Sequence, residues 1–187
     1  IQCNRNGTDD LYTVFGDANV SNYSAPAVTL EANWDMGGVK MTSVTGYREM
    51  TENQTQDFDA SSTDLYYVRR RQGYEQFSQE VRFAGDFGDT FDYVVGGYYF
   101  KSKYQLRQST RLFAAFNPPM IGVEPALADP NPQQVNGKTT SYAIFGDFNW
   151  QFADQFRLSF GGRYTSDKKS LRNAFGGHWH EIVGDLD

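Results

Sequence analysis

Between residues 141 and 165 the chain reads SYAIFGDFNWQFADQFRLSFGGRYT. Tyr142, Ile144, Gly146, Phe148, Trp150 and Phe152 fall on even positions, against Ser141, Ala143, Phe145, Asp147, Asn149 and Gln151 on odd ones. After Ala153-Asp154-Gln155 the alternation resumes in phase: Phe156, Leu158, Phe160, Gly162 and Tyr164 oppose Arg157, Ser159, Gly161, Arg163 and Thr165. A period of two is the period of a β-strand, and two such runs joined by a short turn predict an antiparallel hairpin. The same pattern predicts a hairpin of 27–35 with 39–50 across Met36-Gly37-Gly38, and one of 74–85 with 91–104 across residues 86–90. Gly and Asp in these turns fit tight reversals. The expected fold is therefore all-β and antiparallel, with about six long strands in three hairpins.

The apolar side is not uniform. Phe77, Val81 and Phe83 are interrupted by Gln79, and Val39 and Met41 are followed on the same side by Ser43 and Thr45. Tyr93, Val95, Gly97 and Tyr99 form one face of their strand, while Val94, Gly96, Tyr98 and Phe100 make the other nearly as apolar.

Three features indicate which solvent the apolar face meets. Residues 51–73 and 105–138 are long and polar or Pro-rich, as are 1–26 and the segment from 166, so short turns sit at one end of the strands and long loops at the other. That asymmetry belongs to outer-membrane barrels, with short periplasmic turns and long extracellular loops, and would be unusual in a compact soluble domain. A strand of about eleven residues, at roughly 3.3 Å per residue and a tilt near 40°, reaches about 28 Å, the thickness of a bilayer's hydrocarbon. Aromatic residues also collect at both ends: Trp34, Phe87, Phe91, Trp150, Phe152 and Phe156 near the short turns, and Tyr47, Tyr74, Tyr99, Tyr142 and Tyr164 towards the long loops. Two such girdles flank a lipid-facing band. A soluble core would not need aromatics at both strand ends.

Composition agrees. Aromatics make up 16% of the 187 residues, yet mean hydropathy is −0.62. That combination suits strands with one greasy and one wet face. No run approaches the ~18 apolar residues of a transmembrane helix, which leaves strands as the means of crossing. A net charge of −6 argues against electrostatic binding of nucleic acid. A single cysteine, Cys3, excludes an internal disulfide framework.

MTSVTGYRE (41–49), YEQFSQEVRFAGD (74–86) with FDYVVGGYYF (91–100), and SYAIFGDFNWQFADQFRLSFGGRYTSDKK (141–169) stand in an order and spacing that resembles the β-barrel of TonB-dependent outer-membrane receptors. The resemblance covers most of 27–169. It implies a barrel of about 22 strands filled by an N-terminal plug that carries the TonB-contacting box. Neither plug nor box is visible in 1–187, so the expectation is one partial barrel domain, an interior slice of a longer protein. The resemblance further implies energised import of a scarce, large nutrient such as a ferric siderophore, haem, cobalamin or a glycan. It implies location in the outer membrane of a Gram-negative bacterium, with lipid, lipopolysaccharide and the TonB complex as partners. The alternatives are a self-assembling, fibre-forming β-structure and a passive porin.

Candidate chemistry is sparse. No acid–base or nucleophile set suggests an enzyme, and no cofactor is expected. Arg69, Arg70 and Arg71 form the one basic run. They are the candidate ligand-binding residues, able to meet an anionic ligand or lipopolysaccharide phosphates at the outer rim, although a charged strand cap needs no ligand. His178 and His180 would share a face of a strand, but two ligands do not make a metal site. DFDASSTD (57–64) resembles a calcium loop at Asp57, Asp59 and Ser61, then departs at Ser62 and Val68, where Gly and Glu are required. A solvated acidic loop is the simpler reading, and no metal site is assigned. Glu80, Arg82, Arg157 and Arg163 are expected to point inward and pair across strands. Gly96-Gly97 and Gly161-Gly162 lie inside strands, where they would permit curvature or make room for aromatics.

Overall fold

The computed structural model of the chain describes residues 20–58, 65–112, 131–175 and 178–186; for 131, 132, 175 and 178–186 it describes the backbone. These residues form one antiparallel sheet from the segments β1 (Val20–Ser24), β2 (Ala27–Asp35), β3 (Val39–Asp57), β4 (Tyr66–Phe87), β5 (Phe91–Leu112), β6 (Asn131–Ala153), β7 (Phe156–Phe175) and β8 (His178–Leu186). Each is hydrogen-bonded to its sequence neighbour, except that β1 and β2 both pair with β3. Among the described residues there is no helix.

β1 and β2 are one strand in two pieces. Val20 pairs with Thr55 and Ala27 with Arg48, a single uninterrupted register along β3. Pro26 causes the break. Its carbonyl accepts from Glu49 N–H at 3.0 Å, but proline has no N–H to return the second bond of that pair. The sheet therefore has eight segments in seven strand positions, against about six expected.

All three hairpins form with the anticipated turns. Gly37 and Gly38 both adopt positive φ, 75° and 99°, the requirement of a two-residue turn whose twist matches its strands. Met36 N–H closes it onto Val39 carbonyl at 2.9 Å. The second reversal uses Gly88 at φ 64°. The third is Asp154-Gln155, with a bulge between Gln151 and Ala153 that lets Ala153 face Phe156.

The expected long loops need correction. β3 and β4 stay paired as far as Asp57 and Tyr67, and β5 and β6 as far as Thr110 and Asn131. Most of 51–73 and much of 105–138 is thus strand. β3 to β7 run 19 to 23 residues, about twice the length that crosses a bilayer. From 166 to Phe175 the chain likewise continues β7 where a loop was expected, and it pairs with β8 from Asp167 onward.

Directly paired residues share a face, so the registers assign every side chain to one of two sides. One side carries Val28, Leu30 and Trp34 of β2, Phe77, Val81 and Phe83 of β4, Tyr93, Val95 and Tyr99 of β5, Ile144, Phe148 and Trp150 of β6, and Leu158, Phe160 and Tyr164 of β7. Among the described residues no second layer covers it. Leu30 is 67% exposed, Ile144 68% and Phe160 50%. The buried apolar residues among those described are only Tyr67, Val68, Ala143 and Ala174. Leaving about a dozen such side chains in water would cost roughly 2 kcal/mol each, more than the net stability of an ordinary domain. The exposed apolar band on this side, here called outward, fits an apolar solvent such as lipid.

Candidate ligand-facing wall

The opposite, inward face is mostly polar, with Val94, Tyr98, Phe100 and Phe145 forming an apolar patch on β5 and β6. Near the turns it holds ion pairs and covered glycines. Arg157 meets Asp92 at 2.6 Å, reaching over β6 from β7 to β5. Arg82 and Glu80 pair along their own strand at 3.6 Å, so two of the four expected inward charges pair with each other rather than across strands. Arg163 lies over the rings of Tyr98 and Phe145, 5.6 and 5.8 Å from their centroids. Gly96 stands opposite Phe145, and a Cβ there would come within 2.5 Å of that ring. The expectation that this glycine makes room for an aromatic holds.

Beyond the apolar band the inward face of β3, β4 and β5 becomes a lattice of amides and phenols. Gln72 donates to Glu52, whose carboxylate also accepts from Ser21 Oγ at 2.9 Å. Tyr104 donates to Gln72 Oε1 at 3.3 Å, and Tyr74 to Gln76 Oε1 at 3.0 Å. Tyr74 therefore belongs to this wall and not to the outward girdle in which the sequence placed it. Arg70 holds Gln108 Oε1 with Nε and a terminal nitrogen, at 3.2 and 3.0 Å. Such a surface offers many directional hydrogen bonds together with the cations Arg48 and Arg70, suited to gripping a large polar ligand at several points.

The basic run is divided. Arg70 points inward, while Arg69 and Arg71, on the other parity, point outward. Arg69 lies 5.6 Å from the Tyr67 ring centroid, with Arg111 5.0 Å from the same ring. Of the three candidates only Arg70 belongs to the inward wall. Asp57 ends β3, and Asp59 lies outside the described residues, as does most of the calcium-like stretch. His178 and His180 sit on β8 opposite Phe175 and Asn173; their side chains are outside the description. Among the described residues no three His, Cys, Asp or Glu side chains gather as for a metal.

The wall residues Glu52, Gln54 and Gln72 were not anticipated. Alternation continues through them, but with Thr51, Asn53 and Thr55 on the other side both faces are polar, and hydropathy loses its contrast. The signal that remained was glutamine or glutamate recurring at every second position.

A single-layer antiparallel sheet with an exposed apolar band on one side and a polar wall on the other is the construction of a membrane barrel wall. Residues 3–180 match the family described as TonB dependent receptor-like, beta-barrel, and the chain belongs to that family. Its fold is similar to that of the ferric yersiniabactin uptake receptor FyuA from Yersinia pestis, with a TM-score of 0.67 at 17% identity. The match covers 89% of this chain and 24% of that receptor, so the chain spans about a quarter of its length. No curated protein sequence matches the chain.

Proposed function

We propose that the chain is part of the wall of an outer-membrane, TonB-dependent transporter that imports a scarce, large nutrient. The observation that carries this is the division of one layer into an exposed apolar band and a polar face that continues beyond the band on long hairpins. The band spans lipid, the short turns lie in the periplasm, and the hairpins rise outside the cell to capture ligand. The wall's role is binding and passage, with no bond made or broken. A ferric siderophore is the favoured ligand class, supported by the similarity to a ferric yersiniabactin uptake receptor; another large polar nutrient would use the same hydrogen-bonding wall. TonB would act through a plug that fills the lumen.

The test is uptake by cells carrying the full-length gene under iron limitation, with labelled ferric siderophores as probes. Accumulation that disappears with the receptor gene, and equally with TonB, is the expected result. Uptake that persists without TonB or without a membrane potential would mean a passive pore.

A further inference from the structure

Two carboxamides of the inward wall are held in one orientation. A glutamine side chain ends in an acceptor oxygen and a donor nitrogen of nearly equal size, so its neighbours decide which end points where. At Gln72 and Gln108 the deciding neighbours are charged and leave one choice. The Glu52 carboxylate, across from Gln72 on β3, only accepts, so it takes the Gln72 Nε2. The Gln72 carbonyl oxygen then receives the Tyr104 phenol at 3.3 Å. Arg70 only donates. Its Nε and a terminal nitrogen fix Gln108 Oε1 at 3.2 and 3.0 Å, which leaves Gln108 Nε2 facing Thr110 Oγ1 at 3.5 Å. Turning either amide over would set two acceptors or two donors face to face. Ser21 Oγ donates to the other Glu52 oxygen at 2.9 Å and so keeps that carboxylate in place.

The wall's own donors thus occupy both carbonyl oxygens, and the groups left to meet a ligand are chiefly N–H. Each of the two amide nitrogens keeps a hydrogen beyond its contact with the wall, and Arg70 keeps three of its five N–H donors. Arg48 stands exposed on the same face, two rows nearer the membrane than Glu52. These donors lie on three adjacent strands within about 20 Å of strand length. A polyol or glycan presents O–H groups, each of which must donate as well as accept, and a desolvated hydroxyl proton without an acceptor is costly. A metal chelate rimmed by carboxylate, catecholate or hydroxamate oxygens presents acceptors alone. Charge acts in the same sense, with Arg48 and Arg70 against the one carboxylate of Glu52.

We propose that this wall selects cargo by hydrogen-bond polarity: it takes anionic chelates whose rim is made of oxygen acceptors and rejects neutral polyols. Gln72 and Gln108 are its specificity-determining residues, and Glu52 is the positioning residue that turns Gln72. This rests on the transporter reading above and narrows its ligand class. Glu52 supplies the decisive variant, because its charge and its positioning role predict opposite results. If it were only a negative charge, its removal would tighten an anionic ligand; as the group that orients Gln72, its removal weakens that ligand. The test is calorimetric titration of the full-length receptor in detergent with two probes, a trianionic ferric tris-catecholate and a neutral maltodextrin. The wild type is expected to bind the chelate about a hundredfold more tightly than the maltodextrin. Glu52→Leu should weaken the chelate about tenfold and leave the maltodextrin unchanged, narrowing the ratio, and Gln72→Met should do the same. Lys101→Gln, on the outward face, should change neither. If Glu52→Leu fails to fold, Gln72→Met decides by the same ratio. A Glu52→Leu receptor that binds the chelate equally or more tightly overturns the proposal, as does an equal loss for both probes, which would mean a structural role. A wild type that prefers the maltodextrin, or binds neither probe, overturns it as well. TonB-dependent uptake of the maltodextrin alone fails this proposal and leaves the transporter reading standing. A chelate that binds with the expected ratios but never enters the cell fails the transporter reading and leaves the wall's polarity standing.

Discussion

Gln79 is a carboxamide in the middle of a lipid-facing band, and its surroundings explain how it is tolerated. Its Oε1 accepts from Thr45 Oγ1 at 2.6 Å, while Nε2 donates to Ser43 Oγ at 2.9 Å and to the Glu80 carbonyl at 3.2 Å. The three residues that broke the apolar alternation therefore satisfy one another across β3 and β4, a cross-strand relation that a linear pattern does not display. Removing one partner from such a group exposes the others to hydrocarbon, whereas removing all of them is nearly neutral. Gln79→Leu alone should lower the denaturant stability of the vesicle-inserted, full-length receptor by about 1–3 kcal/mol. The triple change Ser43→Ala, Thr45→Val, Gln79→Leu should restore it; a triple variant less stable than the single one would show that the cluster has another role. Glycine gives a second contrast at this scale. A Cβ on Gly96 would also approach the Val81 carbonyl to 2.8 Å, while one on Gly162 meets nothing within 4 Å. Gly96→Ala should cost about 1–3 kcal/mol through overpacking and Gly162→Ala almost nothing, measured in the same unfolding assay.

At the scale of elements, the sequence was read correctly where the two faces differ in polarity and incorrectly where they do not. The hairpin turns, expected at 36–38, 86–90 and 153–155 and found within those bounds, were legible because turn-forming Gly or Asp sits between alternating runs. The outer halves of β3 to β6 were not, since Thr51, Asn53 and Thr55 alternate with Glu52, Gln54 and Gln56, polar against polar. β1 was missed for the same reason, with Pro26 further separating it from β2. Of the basic run, parity could have told that Arg69 and Arg71 part from Arg70, had the strand been continued that far. The consequence is testable on the hairpins themselves. Cutting β3–β4 back by removing 51–57 together with 65–73 leaves the apolar band and its ladder intact. Such a receptor should still show heat-modifiable mobility in the outer membrane while ligand uptake falls by about tenfold or more, because the amide wall is a many-point contact. Undiminished uptake would place ligand capture elsewhere on the barrel.

For the whole molecule the decisive quantity is the open edge. Among the described residues, β2, at the depth of the apolar band, is hydrogen-bonded only to β3, and the stretch of β7 from Phe156 to Ser166 only to β6, because β8 pairs with β7 from Asp167 onward. Alternate residues of an edge strand point N–H and C=O outward, so each edge presents roughly ten polar groups at membrane depth, at several kcal/mol apiece in hydrocarbon. That penalty, tens of kcal/mol, exceeds anything the sheet's own contacts could offset. The sheet therefore requires a neighbouring strand on each side, either from the rest of one barrel or from further copies of itself. These differ in stoichiometry. The polypeptide of residues 20–186, refolded alone into detergent, should give no heat-modifiable monomer and should sediment as heterogeneous assemblies. The intact receptor should remain a single chain, with a denatured mass several-fold above 21.2 kDa. If instead the purified native protein has a mass near 21.2 kDa and sediments as a regular oligomer, its edges are joined by strand addition between copies, and the proposal of a transporter wall gives way to that of a self-assembling β-structure.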